Sequence, residues 1–380
     1  MKPAYDLIIR ADASQKFGQG HVRRNLNLAD AFRKAKPDAT ILWAGSEETF
    51  ALMPSLKETF YTLTLTAPEQ AAQVMHMVQA IGDTGEKKPG FIIDGYHLDH
   101  ETTNMARAQN MVGTTVFVDE KQNRHLGDTH FVADFMTTDP QAYKSLTADF
   151  TQLMIGPMYQ MVSADYQKLA EWRRLELAAR KGDEKKTVVL MNGGLNIGHM
   201  LEDLVNDLDH AGLWKDCRFR VFMLKGAKLI FDVRSAVLKA KKRGIDITLT
   251  LDVPDFPMQL AMADLYVGAA GLTPYELGAV GGVPSIVLAA GHNQDKIATL
   301  VEDSGAGLNA GVYANVVNNE IVPVANRKHI AHNAISLARM VLDAKNSCKN
   351  MAAASRGLCD GRGAERVART LLTGNAVLKL

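Results

Sequence analysis

Short runs of consecutive apolar residues alternate along this chain with longer stretches in which apolar positions recur every three or four residues. In the first half the runs fall at Leu7–Ala11, Thr40–Ala44, Phe91–Asp94, Thr115–Asp119 and Gln152–Ile155. Between the first two, Val22, Leu26, Ala29 and Phe32 share one face of a predicted helix. The second half repeats the scheme at Thr187–Met191, Arg220–Leu224, Ile245–Leu251, Asp264–Gly268 and Ser285–Leu288. Strands that are apolar on both faces and separated by helices predict parallel sheets covered on each side. From about Ala331 onward the pattern is helical.

The most polar break, Ala178–Lys186 (AARKGDEKK), predicts a linker. A chain of 380 residues then divides into two doubly wound, Rossmann-like α/β domains, 1–177 and 187–380. They are expected to face a central cleft that takes the ligand at the carboxyl ends of their strands, with the final helices packing back on the first domain.

Composition changes this picture little. Apolar residues are 47% and charged residues 22%, the balance of a folded globular chain. A net charge of +1 points to neither nucleic acid nor an anionic membrane surface as partner. The largest basic run, Lys239–Arg243 before Gly244, reads as the solvated last turn of a helix. Cys217, Cys348 and Cys359 have no CxxC spacing, which argues against a disulfide framework or a zinc knuckle. No apolar run approaches the roughly 20 residues of a membrane span. These features predict a cytoplasmic protein without an integral membrane segment.

Candidate chemistry gathers in loops that follow strands. GQGHVRR, residues 18–24, follows the first strand, but Arg23 stands where a dinucleotide fingerprint needs its third glycine. What remains is a tight turn with Gly18 and Gly20, and His21 at the start of a helix. The helix dipole there disfavours imidazolium and leaves a base; packing of the turn explains the same histidine without chemistry. Asp94 in FIIDGY and Asp119 in VFVDEK end apolar runs, where each either orients a ligand or His21, or caps a loop. His97, Asp99 and His100 form a weak metal signal, and Asp207-Leu208-Asp209 lies within a helical pattern; no metal is expected. In the second half, Asn192-Gly193-Gly194 after a strand makes either a backbone anion cradle or an ordinary turn. Gly271-Leu272-Thr273 and Glu276 open another helix. Thr273, Pro274 and Glu276 fit a capping box, while Glu276 also fits a ribose acceptor. Asn293 and Gln294 follow the next strand.

Together these pieces resemble the glycosyltransferase-B architecture, and more specifically the UDP-2,4-diacetamido-2,4,6-trideoxy-β-L-altropyranose hydrolases of the pseudaminic acid pathway. The resemblance rests on Arg10, Asp12 and Ser14 before Gly18, Gly20, His21 and Arg24; on IIDGY at 92–96; and on VDE at 118–120 with Arg124 and Asp128. Gly156 and Tyr159, MNGG at 191–194, and Gly271, Thr273 and Glu276 extend it. Ser163 and Asn196 stand where the family commonly has an arginine and an aspartate. The resemblance implies His21 as the base for water attacking the anomeric carbon, with Asp94 and Tyr96 beside it. It implies a sugar contacted by Arg10, Asp12, Gly18, Gly20, Arg24, Asp119 and Tyr159. UDP would be held by Asn192, Gly193, Gly194, Gly271, Leu272, Thr273, Glu276, Asn293 and Gln294. The substrate partner is then a UDP-sugar, and no cofactor is called for. A glycosyltransferase with the same base and a non-catalytic nucleotide-sugar binder are the alternatives.

Overall fold

The computed structural model describes residues 4–14, 18–65, 88–95, 111–119, 130–182, 184–192, 199–208, 214–227, 229–317, 320–344 and 346–375. Two compact units emerge, Met1–Met161 with Arg362–Leu380, and Val162–Gly361.

The first unit is built on seven strands: β1 Leu7–Ala11, β2 Ile41–Ser46, β3 Tyr61–Leu65, β4 Gly90–Asp94, β5 Thr115–Val118, β6 Phe131–Asp134 and β7 Gln152–Ile155. Their spatial order is β3-β2-β1-β4-β5-β6-β7, with every neighbouring pair parallel. The central strands β1, β4 and β5 are buried on both faces, which is why they read as unbroken apolar runs. Leu7 and Ile9 point into one core with Val22 and Phe32 of helix α1 (Gly20–Ala35). Ile8 points into the opposite core with Phe91 and Ile93. Each such fully buried side chain contributes about 1.5–3 kcal/mol.

The second unit carries β8 Lys186–Met191, β9 Cys217–Met223, β10 Ile247–Leu251, β11 Leu265–Ala269, β12 Ser285–Ala290, β13 Gly307–Val317 and β14 Glu320–Pro323. The order β10-β9-β8-β11-β12-β13-β14 repeats that of the first sheet. Only the β13–β14 pair is antiparallel. In each sheet the strand order reverses once, between β1 and β4 and between β8 and β11. Crossover connections leave these points in opposite directions and open a crevice at the carboxyl ends of the strands.

Four strands lie outside the apolar runs read from the sequence. The edge strand β3 is exposed or half-buried at all but its last residue, and β6 is only four residues long. The long strand β13 is broken by bulges in its pairing with β12 and by Gly311 at φ 117°, and β14 returns from it as a hairpin.

The unit boundary also differs from the polar break expected at 178–186. Helix Ala164–Ala179 belongs to the second unit, so the chain passes between units at Met161/Val162 and Gly361/Arg362. The reason is a buried cation: Arg173 donates to the carbonyls of Gly282 (3.0 Å), Ala261 (2.5 Å) and Ala263 (2.7 Å). Burial lowers its pKa to about 10, yet it stays charged. In the sequence such an arginine looks like any charged residue facing solvent, although it is buried here. The last helix, Gly363–Thr373, lies in the first unit, where its Ala364, Val367, Ala368 and Leu371 share a core with α1. None of the three cysteines forms a disulfide. No helix among the described residues is long and apolar enough to cross a membrane.

Candidate active site

The reversal point of the first sheet assembles the strongest constellation. Ala11 of β1 pairs with Asp94 at the end of β4. The chain leaving β1 turns through Gly18, whose φ of 77° favours glycine, and which exchanges backbone hydrogen bonds with Ser14. Helix α1 then begins at Gly20, where an added Cβ would meet nothing within 4 Å. His21 therefore occupies the first turn, and Arg24 and Asn25 follow on the same face at spacings of three and four.

All three converge on Asp94, which is fully buried. His21 Nδ1 lies 2.7 Å from Oδ1. Arg24 grips both oxygens, Nε to Oδ2 at 2.6 Å and Nη2 to Oδ1 at 2.5 Å. Asn25 Nδ2 donates to Oδ2 at 2.6 Å and to the His21 carbonyl at 2.9 Å. Burial alone opposes ionisation, but the Arg24 charge and the hydrogen bonds from Arg24 and His21 outweigh it. They hold the Asp94 carboxyl well below the usual carboxylate range. An ionised carboxylate is an acceptor only, so His21 Nδ1 must carry the proton it donates. The 3.1 Å approach of Arg24 Nη2 to that nitrogen is then two donors sharing one acceptor. In a neutral ring of that tautomer, Nε2 is the nitrogen able to accept a proton, as a general base must. Arg24 is itself packed 5.4 Å from the Phe135 ring.

Sequence reasoning paired His21 with Asp94 only as one possibility and missed Asn25. Its signal was the i+4 spacing from His21, on the face that also carries Arg24.

The other residues expected at the sugar have varied surroundings. Arg10 and Asp12 form a buried ion pair at 2.6 Å, and Asp12 Oδ1 also accepts from Ser46 N and Thr49 Oγ1 at 2.7 and 2.9 Å. This network ties the segment after β1 to the end of β2 and the short helix Glu47–Leu52 that follows it. Asp119 is buried at the end of β5, where its carbonyl accepts from the Tyr143 hydroxyl at 3.0 Å. Tyr143 also lies 2.9 Å from Asp134 Oδ2 at the end of β6. Burial and this carboxylate push the phenol pKa upward. Tyr159 sits in the core with Met161, Val367 and Leu371, and its buried hydroxyl has no hydrogen-bond partner among the described residues. Tyr96, Arg124 and Asp128, with His97, Asp99 and His100, lie outside the described residues.

The reversal point of the second sheet is more dependent on backbone. Tight approach of β8 and β11 demands Gly268: a Cβ there would stand 1.8 Å from the Met191 carbonyl oxygen. Asn192, buried, ends β8, while Gly193, Gly194 and Asn196 lie outside the described residues. After β11, Gly271 and Leu272 lead into helix Thr273–Ala279. The capping box read from Thr273 and Glu276 does not form. The helix starts one residue earlier than that motif requires: Leu272, at φ −74° and ψ −24°, occupies the cap, and its carbonyl accepts from Tyr275 and Glu276. A box needs an extended cap residue with a side-chain acceptor, and leucine supplies neither. Glu276 instead accepts from the Tyr166 hydroxyl at 2.8 Å and stays half-buried, and Thr273 is buried. Gln294 Oε1 accepts from Ala290 N at 3.0 Å, capping the turn out of β12. The Asn293 side chain lies outside the described residues.

Ser163 is the N-cap of helix Ala164–Ala179, accepting from Asp165 N at 3.2 Å. Asp207 pairs with His332 at 3.1 Å, and Asp209 lies outside the described residues. Among the described residues, His199, Glu202 and Asp232 place three ligand-type atoms within 4.8 Å of one another. His199 and Glu202 already share a hydrogen bond of 2.6 Å.

No protein-family model and no curated protein matches the sequence. Solved structures do match in shape. MurG of Acinetobacter baumannii superposes with a TM-score of 0.64 at 13% identity, covering 97% of this chain and 99% of that one. The fold is glycosyltransferase-B. UDP-GlcNAc 2-epimerase from Neisseria meningitidis, bound to UDP-GlcNAc, gives 0.55 at 12% identity over 96% and 99%. A glycosyltransferase from Rickettsia africae gives 0.57 at 11% over 98% and 100%. At such identities the likeness carries the fold, and function has to be argued from the site.

Proposed function

We propose that the protein hydrolyses a nucleotide sugar, releasing UDP, with a UDP-linked diacetamido-trideoxyhexose as the substrate class that the sequence resemblance favours. The observation that carries this reading is the His21–Asp94 pair at the reversal point of the first sheet. Asp94 fixes the imidazole tautomer, and His21 Nε2 takes a proton from water as its oxygen bonds to the anomeric carbon. The bond from that carbon to the diphosphate oxygen breaks, and its electron pair leaves with UDP. The proton on His21 then passes to solvent. Asp94 does not itself change protonation; like the aspartate of a catalytic triad it orients the ring and stabilises the imidazolium that forms.

The second unit would supply the nucleotide site. Backbone amides at Gly271 and Leu272, before Thr273, suit a diphosphate, joined by the Gly193 and Gly194 that the sequence resemblance implies, and Glu276, oriented by Tyr166, suits ribose hydroxyls. Transfer to an acceptor hydroxyl is the second reading, favoured by the fold shared with a protein described as a glycosyltransferase. His21 would serve that reaction equally well.

Incubation with a panel of UDP-sugars, followed by phosphorus NMR, separates the two. Hydrolysis predicts UDP release with water alone. Release only on adding an acceptor would replace hydrolysis with transfer, and UDP binding without turnover under either condition would leave a binding protein.

A further inference from the structure

The basic run Lys239–Arg243 closes helix Ile230–Lys242, whose last turn holds Lys239, Lys241 and Lys242. The inner face of this helix, Val233, Ala236, Val237 and Ala240, is buried in the core of the second unit. Its outer face is not the purely polar surface of an ordinary solvated helix. Phe231 is 77% exposed and Leu238 is 59% exposed. Seven residues apart, they stand on one line two turns from each other. Phe231 is also the most exposed of the large apolar side chains among the described residues.

Cations bracket this apolar pair. Arg234 lies three residues after Phe231 and four before Leu238, and Lys241 and Lys242 continue the line three and four residues beyond Leu238. All three are exposed, as is Lys239 on the flank, and Asp232 is the helix's one carboxylate. Single exposed apolar residues are ordinary on protein surfaces. An aligned pair set among lysines and arginines is the pattern of a helix lying in a lipid headgroup layer. The whole-chain charge of +1 conceals this because acidic residues elsewhere balance the cluster.

We propose that the outer face of helix Ile230–Lys242 docks on an anionic lipid surface. Phe231 and Leu238 enter the boundary between headgroups and acyl chains, while Arg234, Lys239, Lys241 and Lys242 pair with lipid phosphates. Charge complementarity selects this occupant: cations held within a Debye length of a negatively charged leaflet are attracted to it. A deformable bilayer also receives two protruding side chains without a preformed groove. This docking is independent of the reaction proposed above.

The test is co-sedimentation of the full chain with phosphatidylcholine vesicles, with and without phosphatidylglycerol, at low and raised salt. Binding is expected only with phosphatidylglycerol, and it should fall as salt rises. The double substitution Phe231→Ser and Leu238→Ser should weaken it about tenfold, and Lys239→Glu with Lys241→Glu and Lys242→Glu should abolish it. These side chains are exposed, so unfolding curves of the variants should match the parent. Absence of binding to phosphatidylglycerol vesicles overturns the proposal, as does binding that survives loss of Phe231 and Leu238. Equal retention by immobilised polyglutamate, undiminished in the serine variant, would also overturn it and assign the face to an acidic polypeptide.

Discussion

The two reversal points, alike in topology, hold their polar residues in different ways. In the first sheet three side chains from one helix face close on a single buried carboxylate, at distances from 2.5 to 2.7 Å. In the second, β8 and β11 approach so closely that only glycine fits at position 268. There the half-buried carboxylate of Glu276 accepts from the hydroxyl of Tyr166, on a helix far away in sequence. Placing a proton requires one nitrogen in one tautomer, so the surrounding groups must be over-determined. Holding a diphosphate and a ribose requires amides and one acceptor, which turns supply without such a clamp. The shared fold thus provides two equivalent positions, and local side chains decide what each can do.

Breaking the clamp should give the largest effects. Asp94→Asn removes the acceptor that fixes the His21 tautomer and leaves the Arg24 charge buried without its carboxylate. UDP release should fall by about 10³–10⁴, and urea denaturation should show a loss of about 3–5 kcal/mol. A variant that keeps its turnover would separate the pair from the chemistry. Asn25→Ala comes next. It deletes two donors from a buried site, at a cost of about 1–3 kcal/mol in folding, and should lower turnover about tenfold, the catalytic loss being read at saturating substrate.

Effects at the second reversal point should be smaller and should appear in binding. Glu276→Gln is expected to weaken UDP affinity by about tenfold, measured by calorimetry, with little change in thermal stability because no capping box depends on it. Tyr166→Phe should weaken UDP affinity only about two- to threefold. If both variants lose stability and keep UDP affinity, the carboxylate is structural and the contrast between the two regions fails.

The smallest effect follows from acidity. Because Asp94 is more acidic folded than unfolded, its contribution to stability is complete above the ordinary carboxylate pKa of about 4. It drains away as pH falls below that value, where the unfolded chain binds a proton that the folded chain refuses. Urea midpoints measured from neutral to acid pH should therefore slope less steeply in Asp94→Asn than in the parent.

Much of this was legible in the sequence, and the reasons for the rest are particular. The strands that place both reversal points are continuous apolar runs, so β1, β4, β8 and β11 were visible. The strands β3, β6, β13 and β14 were not, because edge exposure, shortness and a bulged backbone each erase that pattern. The unit boundary was displaced because Arg173 and Tyr166 are buried in the second unit, on a helix whose other positions are mostly exposed or half-buried and carry no pattern that assigns it to one domain. His21 and Asp94 could be picked singly, but a contact across 73 positions is not encoded in local spacing. Asn25 was overlooked although its i+4 relation to His21 was on view. The Thr273–Glu276 motif matched a capping box in spelling, and the backbone angles of Leu272 decided otherwise.

The central claim is that His21, oriented by Asp94, is the base. It is tested most directly by the rate of UDP release from a substrate that the parent protein turns over, compared between the parent and His21→Ala. A fall of about 10²–10⁴ is expected in the variant, with its affinity for UDP unchanged. Release at the parental rate from a folded His21→Ala protein would contradict it.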